Sequence, residues 1–547
     1  MLTPIVPFLS LLLSLIVVSP AMAGEPPIEA GAESVETDAA VTEVTSLGAA
    51  ETLAALRAEY GNPSGLMIQS QVTRYTSGQS EGHKRPPLAI SRSTAHLHLG
   101  ADGDQIVELE HGVRYPYPFD LGWTETLANG TSGSIRGADE FGGKRRRDAS
   151  QARLAFRHKD SRLSNPAWLF QEIEPTSISH ADGTASLGAL WRGFELELEI
   201  VNSVQIGAVR FEETYPPIGT VAIEVGFDDW RDVDGVPMPF KVVTRMAGEV
   251  VSIEVRDVVK VVAPPELSGD PAAPHADLTE LGWQRSTFFL DWLGYGFPQD
   301  DAPIEHDQTL RSVRDGVWLV GGEFHNSVVI ELEPGRLVVL EAPFSEARVD
   351  ALFAAIEDAF PESVVEVAVM THHHWDHAGG IAGISKRGIP LALPAGEVSW
   401  VQDLLGDDTL LRPVDEVLIL EGEDRSVELH AFESSHVDHM LIAWMPQEKV
   451  LHVADLLNPG LIPTRGPMGW LVRQVLKAQY PFTLAKAGTY TTELKTGLDT
   501  LNIQPERITG GHGPQIARPH AIKVLMRNAD PTLFHETMDG DRLDGDF

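Results

Sequence analysis

The feature that most constrains this chain is a run of metal-binding side chains at residues 371–380, which read Thr-His-His-His-Trp-Asp-His-Ala-Gly-Gly. Within it, His372, His374, Asp376 and His377 form the pattern His-x-His-x-Asp-His. Imidazole and carboxylate groups bind zinc and similar cations, and a carboxylate two positions after a His suits a second cation beside the first. The alternative interpretation is a solvated His-rich loop, but such a loop would not require this spacing. The run therefore predicts a metal site.

The residues before the run predict where the site lies. Residues 363–370 are short, apolar and rich in β-branched side chains, which is typical of a buried strand in an α/β sheet. The metal-binding side chains therefore begin where a strand ends. Loops at the carboxyl end of such strands are held by a rigid scaffold and converge on a common site.

Three motifs later in the chain carry further candidate metal ligands. His436 lies in Ser-Ser-His-Val-Asp-His-Met, Asp455 in Val-Leu-His-Val-Ala-Asp-Leu, and His512 in Ile-Thr-Gly-Gly-His-Gly-Pro. With the first run, they resemble, in order, the ligand motifs of the metallo-β-lactamase fold superfamily. The resemblance covers about residues 306–530 and includes the segments 325–329 and 340–343. His439 is an alternative to His436, although alignment on the apolar run 440–445 favours His436.

The resemblance implies two metal ions. The implied ligands are His372, His374 and His436 for one metal, Asp376, His377 and His512 for the other, and Asp455 as a bridge between them. Two Zn²⁺ ions are expected, and manganese or iron also suits these donors. The third motif and Ala454, which stands where relatives usually have Gly, depart from the family pattern without removing a ligand.

The implied activity is hydrolysis by a hydroxide shared between the two metals. Asp376 is the predicted catalytic residue, orienting the nucleophile and returning a proton. Because true β-lactamases typically lack the carboxylate at Asp455, the resemblance favours an ester, thioester or lactone as substrate. β-Lactam hydrolysis, phosphodiester hydrolysis and iron-dependent persulfide oxidation are the alternative activities. A metal-stabilised binding module is the non-enzymatic alternative, and it would be expected to lack a ligand.

The predicted fold class is α/β. An αββα sandwich over residues 306–530 is preceded by a mostly antiparallel β domain over 51–265 and a connector over 266–305, and it is followed by a tail over 531–547. Asp234-Gly235 predicts a hairpin turn within 230–237, and this region weakly resembles the half-barrels of bacterial lipoprotein carriers. Trp375 and Trp470 are candidates for a substrate pocket or for ordinary packing. His325 and Asn326 are candidates for supporting the site or a structural loop.

The ends and the charge of the chain predict its location and partners. Residues 1–23 resemble a signal peptide cleaved after Ala23, with an uncleaved anchor as the alternative, and 24–50 are typical of a disordered acidic linker. The expected location is therefore periplasmic or extracellular, with no stable membrane span after leader removal. The chain has no Cys, which excludes thiolate ligands and disulfides. A net charge of −37 disfavours nucleic acid as a partner and leaves a small-molecule substrate. The oligomeric state is not predicted.

Overall fold

The computed structural model describes most of the chain between the first helix and the last. It describes residues 47–76, 88–113, 119–138, 147–149, 151–181, 184–201, 204–215, 219–267, 308–321, 325–457, 481–513 and 516–527. The predicted leader, almost all of the acidic linker and connector, the C-terminal tail and Trp470 lie outside these residues. Among the helices within these ranges, none combines the length and apolar character that a membrane crossing needs.

The first half of the chain forms a 13-stranded antiparallel sheet. Two meanders meet in its middle, where β1 pairs with β13, and the sheet order is β6-β5-β4-β3-β2-β1-β13-β12-β11-β10-β9-β8-β7. The strands are β1 (Gly65–Thr76), β2 (Leu88–Gly100), β3 (Gln105–Val113), β4 (Phe119–Ala128), β5 (Ser132–Ala138), β6 (Arg147–Asp148), β7 (Glu174–Ala181), β8 (Thr184–Trp191), β9 (Phe194–Val201), β10 (Gln205–Tyr215), β11 (Gly219–Val233), β12 (Val236–Met246) and β13 (Glu249–Val262).

The antiparallel sheet and its hairpin turn are as the sequence predicts. Asp234 and Gly235 connect β11 to β12 with φ angles of 55° and 82°, the left-handed conformation that a two-residue hairpin turn requires. The likeness to lipoprotein carriers stays a prediction.

Three helices that the sequence analysis does not anticipate accompany this sheet: α1 (Ala49–Tyr60), α2 (Gln151–Leu163) and α3 (Pro166–Glu172). Helix α2 is polar yet buried, because its cations pair with acids on both meanders. Arg157 forms a bidentate ion pair with Glu125 of β4, and Lys159 forms an ion pair with Glu213 of β10. A buried helix of this kind shows no apolar stripe in its sequence, which is why periodicity misses it.

The second half contains two mixed sheets, as predicted. The seven-stranded sheet has the order β14-β15-β16-β17-β18-β19-β20, and the five-stranded sheet has the order β21-β22-β23-β24-β25. The strands are β14 (Thr309–Arg314), β15 (Val317–Gly321), β16 (Asn326–Glu333), β17 (Arg336–Leu340), β18 (Val364–Val369), β19 (Leu391–Pro394), β20 (Leu411–Val414), β21 (Val417–Glu421), β22 (Ser426–Phe432), β23 (Met440–Met445), β24 (Val450–His452) and β25 (Arg507–Thr509).

Helices cover the outer faces of both sheets. They are α4 (Glu346–Ala359), α5 (Trp375–Ala378), α6 (Ile381–Lys386), α7 (Val398–Leu405), α8 (Pro481–Thr500) and α9 (His520–Met526). One apolar cluster lies between the two sheets, a second lies under α4, α6 and α7, and a third lies under α8 and α9. These layers confirm the predicted αββα sandwich. Helix α4 buries Val349, Leu352, Phe353 and Ile356, which lie on one face of the helix.

Two pairs of parallel strands fix the place of the site. Strand β17 is parallel to β18 in the first sheet, and β24 is parallel to β25 in the second. Parallel neighbours end at the same edge, so the loops that follow all four strands meet there.

Candidate metal centre

The seven predicted ligands converge at this edge in two groups that share Asp455. The first group is His372, His374, His436 and Asp455, and the second group is Asp376, His377, Asp455 and His512. Within each group, one nitrogen or oxygen atom from each side chain lies within 4.8 Å of the others. Whether these residues bind metal stays a prediction, whereas their convergence is a property of the fold.

Asp455 lies between the two groups and directs one carboxylate oxygen toward each. Its Oδ2 atom is 3.3 Å from Nε2 of His436 in the first group. Its Oδ1 atom is 3.0 Å from Nε2 of His377 and 3.0 Å from Nε2 of His512 in the second group. This is the placement that a carboxylate bridging two cations would need.

Asp376 belongs to the second group. Its Oδ2 atom lies 3.7 Å from Nε2 of His377 and 3.6 Å from Nε2 of His512. It also lies 3.3 Å from Nε2 of His325, a buried histidine outside both groups. Most of these side chains are buried, but His512 is 24% exposed and Asp455 is 13% exposed, so the site opens to solvent beside them.

Glu341 lies behind both groups, and the sequence analysis gives it no role. It follows β17 directly, is fully buried, and accepts hydrogen bonds at Oε1 from Thr371 Oγ1 (2.8 Å) and His452 Nε2 (3.0 Å). Its Oε2 atom is 3.5 Å from Nδ1 of His377. The carboxylate therefore orients the His377 ring so that Nε2 faces the second group.

The same carboxylate orients His372 through a hydroxyl group. Thr371 has a single hydroxyl proton and donates it to Glu341, so its oxygen accepts from Nδ1 of His372 at 2.9 Å. The Nε2 atom of His372 is then unprotonated and faces Nε2 of His436 at 3.3 Å. One buried carboxylate thus sets the ring orientation of a histidine in each group.

Helix α8 supports the loop that carries His436. Glu493 accepts hydrogen bonds from the Ser435 amide (3.0 Å) and from Ser434 Oγ (3.1 Å), and Ser434 Oγ accepts from the His436 amide (3.0 Å). The ring of Tyr490, one helical turn earlier, packs edge-on against His436 with centroids 5.1 Å apart. The helix therefore fixes both the backbone and the ring plane of this residue.

Electrostatics differ between the two groups. Burial, together with charge on neighbouring histidines, holds the pKa of His372 and of His374 well below the usual range. Burial acts in the same direction on His377 and His512, but the nearby carboxylates, Asp455 foremost, outweigh it and raise the pKa of both. The protonated form is therefore favoured at His377 and His512, and the neutral form is favoured at His372 and His374.

This difference predicts that metal binding releases more protons from the second group than from the first. A raised pKa means that His377 and His512 keep their protons to higher pH than an ordinary imidazole does, and a metal must displace those protons, so affinity falls as pH decreases. Neutral His372 and His374 have no proton to lose, so affinity at the first group should change little around neutral pH. Calorimetry in two buffers with different ionisation heats measures the release.

Two variants separate the groups for this experiment. His436→Ala breaks the first group and leaves the second, whereas His512→Ala does the reverse. Equal proton release by the two variants would contradict the electrostatic difference.

The structure also gives the positions of three other candidates from the sequence, His439, Trp375 and Asn326. His436, not His439, joins the first group, and the His439 ring packs so closely on Gly396 that a Cβ there would lie 2.4 Å from it. Trp375 is 1% exposed and belongs to an apolar core cluster, so it packs in the interior. Asn326 donates to the carbonyls of Gly510 (3.0 Å) and Gly513 (2.7 Å), and so holds the loop that carries His512.

Two small residues permit the close approach of the loops. Ala454, directly before Asp455, has a φ of 42°, in the left-handed region that favours the Gly usual in relatives. A Cβ at Gly511 would lie 2.2 Å from the His377 ring. Gly379, by contrast, has an ordinary φ of −60°, and its importance is close packing, because a Cβ there would lie 2.3 Å from the carbonyl oxygen of Phe344.

The donor chemistry of the two groups fits metal ions of the zinc type. Imidazole nitrogen and carboxylate oxygen are the usual non-sulfur ligands of zinc, in sets of three or four. The Nε2 atoms of His372 and His436 lie 3.3 Å apart. Because His372 donates its Nδ1 proton to Thr371, its Nε2 lone pair points into the site. A cation satisfies such a lone pair, and the first group supplies four donors to it.

Comparison with known protein families agrees with the fold of the second half of the chain. Residues 320–512 match the sequence model of the Metallo-beta-lactamase superfamily, a range that contains all seven predicted ligands. The resemblance predicted from the motifs is thereby confirmed, and the second half of the chain contains a metallo-beta-lactamase domain.

Individual relatives are distant. The chain is 26% identical over 131 residues to a metallo-beta-lactamase type 2 of Bacillus sp. (strain 170), covering 23% of this chain and 48% of the relative. It is 24% identical over 131 residues to the metallo-beta-lactamase type 2 of Bacillus cereus, with the same coverage of 23% and 48%. The chain thus spans about half the length of the curated relatives it matches. A solved metallo-beta-lactamase from Pontibacter korlensis is 13% identical, with a TM-score of 0.32, covering 41% of this chain and 99% of that one.

Proposed function

We propose that the metallo-beta-lactamase domain is a binuclear metal-dependent hydrolase that acts on an ester, thioester or lactone. The observation that carries the proposal is the position of Asp455, whose Oδ2 faces the first group and whose Oδ1 faces the second. A carboxylate shared in this way is suited to hold two cations close together. Zinc is the proposed metal, with manganese or iron as alternatives for these donors.

Bound zinc supplies Lewis acidity, lowering the pKa of a coordinated water to about 7 and polarising the scissile carbonyl. Asp376 is the proposed catalytic residue, orienting the attacking water and returning a proton to the leaving group. Its Oδ2 atom lies 3.3 Å from His325 Nε2, a contact that orients the carboxylate. The exposed edges of His512 and Asp455 form the side from which substrate approaches.

β-Lactam hydrolysis is the second candidate, and the names of the relatives favour it. Both curated relatives are described as metallo-beta-lactamases type 2, although the match covers 48% of their length. The bridging carboxylate favours the first candidate, because the sequence resemblance associates that feature with thioester and lactone hydrolysis. A panel of substrates separates the two candidates.

The test combines metal analysis with a hydrolysis panel. Full-length protein purified without added metal is analysed for its elements. It is then assayed with an aryl ester, an acyl thioester, a lactone, an aryl phosphodiester and a chromogenic cephalosporin. We expect about two zinc ions per chain, as a binuclear site requires, and highest kcat/KM on one of the first three substrates.

A matched pair of histidine variants serves as control. His436→Ala should lower kcat/KM by more than the roughly 10- to 100-fold typical of losing an outer-shell partner of a metal ligand. His439→Ala removes an exposed imidazole three residues away and should leave activity unchanged. Wild-type protein that holds no metal and hydrolyses nothing would overturn the proposal, whereas the highest rate on the cephalosporin would replace its substrate class.

A further inference from the structure

The apolar core of the N-terminal sheet extends into the metal domain through two aromatic side chains. Phe344 and Trp375, 8% and 1% exposed, belong to the same apolar cluster as Leu198, Val209 and Phe227 of β9 to β11. Their two rings contact each other with centroids 5.3 Å apart. Trp375 stands between the predicted ligands His374 and Asp376 in the chain.

The segment that carries Phe344 has a conformation that needs support. Glu341 and Phe344 have φ angles of 69° and 63°, in the left-handed region that residues other than Gly rarely adopt. Such conformations persist where the surrounding structure holds them, and they concentrate at functional sites. Burial of the Phe344 ring in the N-terminal core stabilises the conformation of this segment.

Hydrogen bonds connect this segment to the second group. The Ala342 amide donates to the His377 carbonyl (3.0 Å), and the Phe344 amide donates to the Trp375 carbonyl (3.3 Å). The Phe344 ring also packs against the ring of His325, with centroids 4.2 Å apart. His325 in turn lies 3.3 Å from Asp376 and packs on the ring of His512, with centroids 4.5 Å apart.

From these contacts we infer that the N-terminal domain positions the second group, and that Phe344 is the residue through which it acts. The backbone of Trp375 and His377, on either side of Asp376, is hydrogen-bonded to the 341–344 segment, and the position of that segment depends on an aromatic ring held by the other domain. The first group is less dependent on this contact, because the His436 loop is held by Glu493 of α8. The inference rests on the proposed binuclear function, since it concerns how that site is maintained.

The test compares two Phe→Leu substitutions within one apolar cluster. Phe344→Leu weakens the contact between the domains, whereas Phe170→Leu removes a fully buried ring of the same cluster on α3, where it packs on Tyr60. Each substitution is placed in full-length His436→Ala, which keeps the second group, and in full-length His512→Ala, which keeps the first. Zinc dissociation constants are measured by chelator competition, and the absorption spectrum of the cobalt-loaded protein reports ligand geometry.

We expect Phe344→Leu to weaken zinc binding by roughly 10- to 100-fold in the His436→Ala background, as for loss of other supports of metal ligands, and to alter the cobalt spectrum there. Binding in the His512→Ala background should change less than about threefold, and Phe170→Leu should change binding little in either background. Trp375→Phe keeps an aromatic ring and provides the same comparison if Phe344→Leu does not fold.

The outcomes separate this inference from the proposed function. Equal effects of Phe344→Leu in the two backgrounds, or effects matched by Phe170→Leu, would mean general destabilisation and would overturn the inference. Unchanged zinc binding by Phe344→Leu would overturn it while leaving the binuclear hydrolase intact. Wild-type protein without zinc affinity would instead overturn the proposed function and, with it, the inference.

Discussion

Replacing Asp376 with Ala is expected to abolish hydrolysis while leaving the fold largely intact. The carboxylate is a member of the second group and the proposed site of proton transfer, so the variant loses a ligand and a catalytic group together. General acid–base catalysis alone is worth roughly 10²- to 10⁴-fold in rate, and a reduction of at least that size should appear in kcat. The fold should survive because Asp376 lies after β18 and outside the three apolar clusters of the sandwich.

The measurement compares kcat on the best panel substrate with thermal unfolding of the same preparation. Asp376→Asn, which keeps the volume, should be nearly as inactive, because an amide neither ionises nor returns a proton. Asp403→Ala removes one carboxylate from the exposed face of α7 and is the control for net charge. Hydrolysis at the wild-type rate by Asp376→Ala would exclude the proposed mechanism.

Much of the site is predictable because metal ligation needs particular side chains at particular spacings. His372, His374, Asp376 and His377 lie close together in the segment that follows β18, where four potential ligands within six positions strongly favour a metal site. The distant ligand His436 is predictable from its place before an apolar run, and β23 begins at Met440 as that alignment requires.

What escapes prediction depends on contacts between elements that sequence periodicity does not encode. Helix α2 has buried cations at Arg157 and Lys159, and acids on β4 and β10, far away in sequence, make their burial tolerable. Glu341 belongs to a family-like segment, but its role is not evident from sequence. The available signal is its position directly after an apolar strand, followed by a helix and the motif strand, since such a βαβ unit places the ends of both strands at one edge.

The sequence leaves open whether Trp375 lines a substrate pocket or packs in the core, and the structure places it in the interior. Nothing in residues 371–380 distinguishes the two, because the surface that covers Trp375 comes from strands more than 100 residues earlier in the chain. The domain boundaries, leader and location predicted from sequence stay predictions, since their evidence lies in segments outside the described residues.

Replacing Glu341 with Gln is expected to weaken metal binding at both groups and to destabilise the metal-free protein. The Glu341 carboxylate accepts hydrogen bonds from Thr371 and His452 at Oε1, and its Oε2 atom lies 3.5 Å from Nδ1 of His377. In Glu341→Gln an amide NH₂ group would replace Oε2, so two hydrogen-bond donors would face each other at His377. Loss of a partner that orients a metal ligand typically costs roughly 10- to 100-fold in affinity. Hydrogen bonds to charged groups contribute roughly 1.5–3 kcal/mol each, so the free energy of unfolding should fall by about 3 kcal/mol or more.

The loss of stability should depend on pH in a direction that the electrostatics determine. Burial acts to raise the pKa of Glu341, but the charge of His377 and the hydrogen bonds from His377 and His452 outweigh it, so the pKa is lowered in the folded protein. A lowered pKa stabilises the fold at neutral pH, and that stabilisation is lost as pH falls below the usual Glu value of about 4.3 and through the folded pKa. Denaturant unfolding should therefore show a gap between wild type and Glu341→Gln that narrows in acid, while Glu357→Gln on the exposed face of α4 shows no gap. A gap that is constant or widens in acid would mean that the ionised carboxylate is not what stabilises the loops behind the two groups.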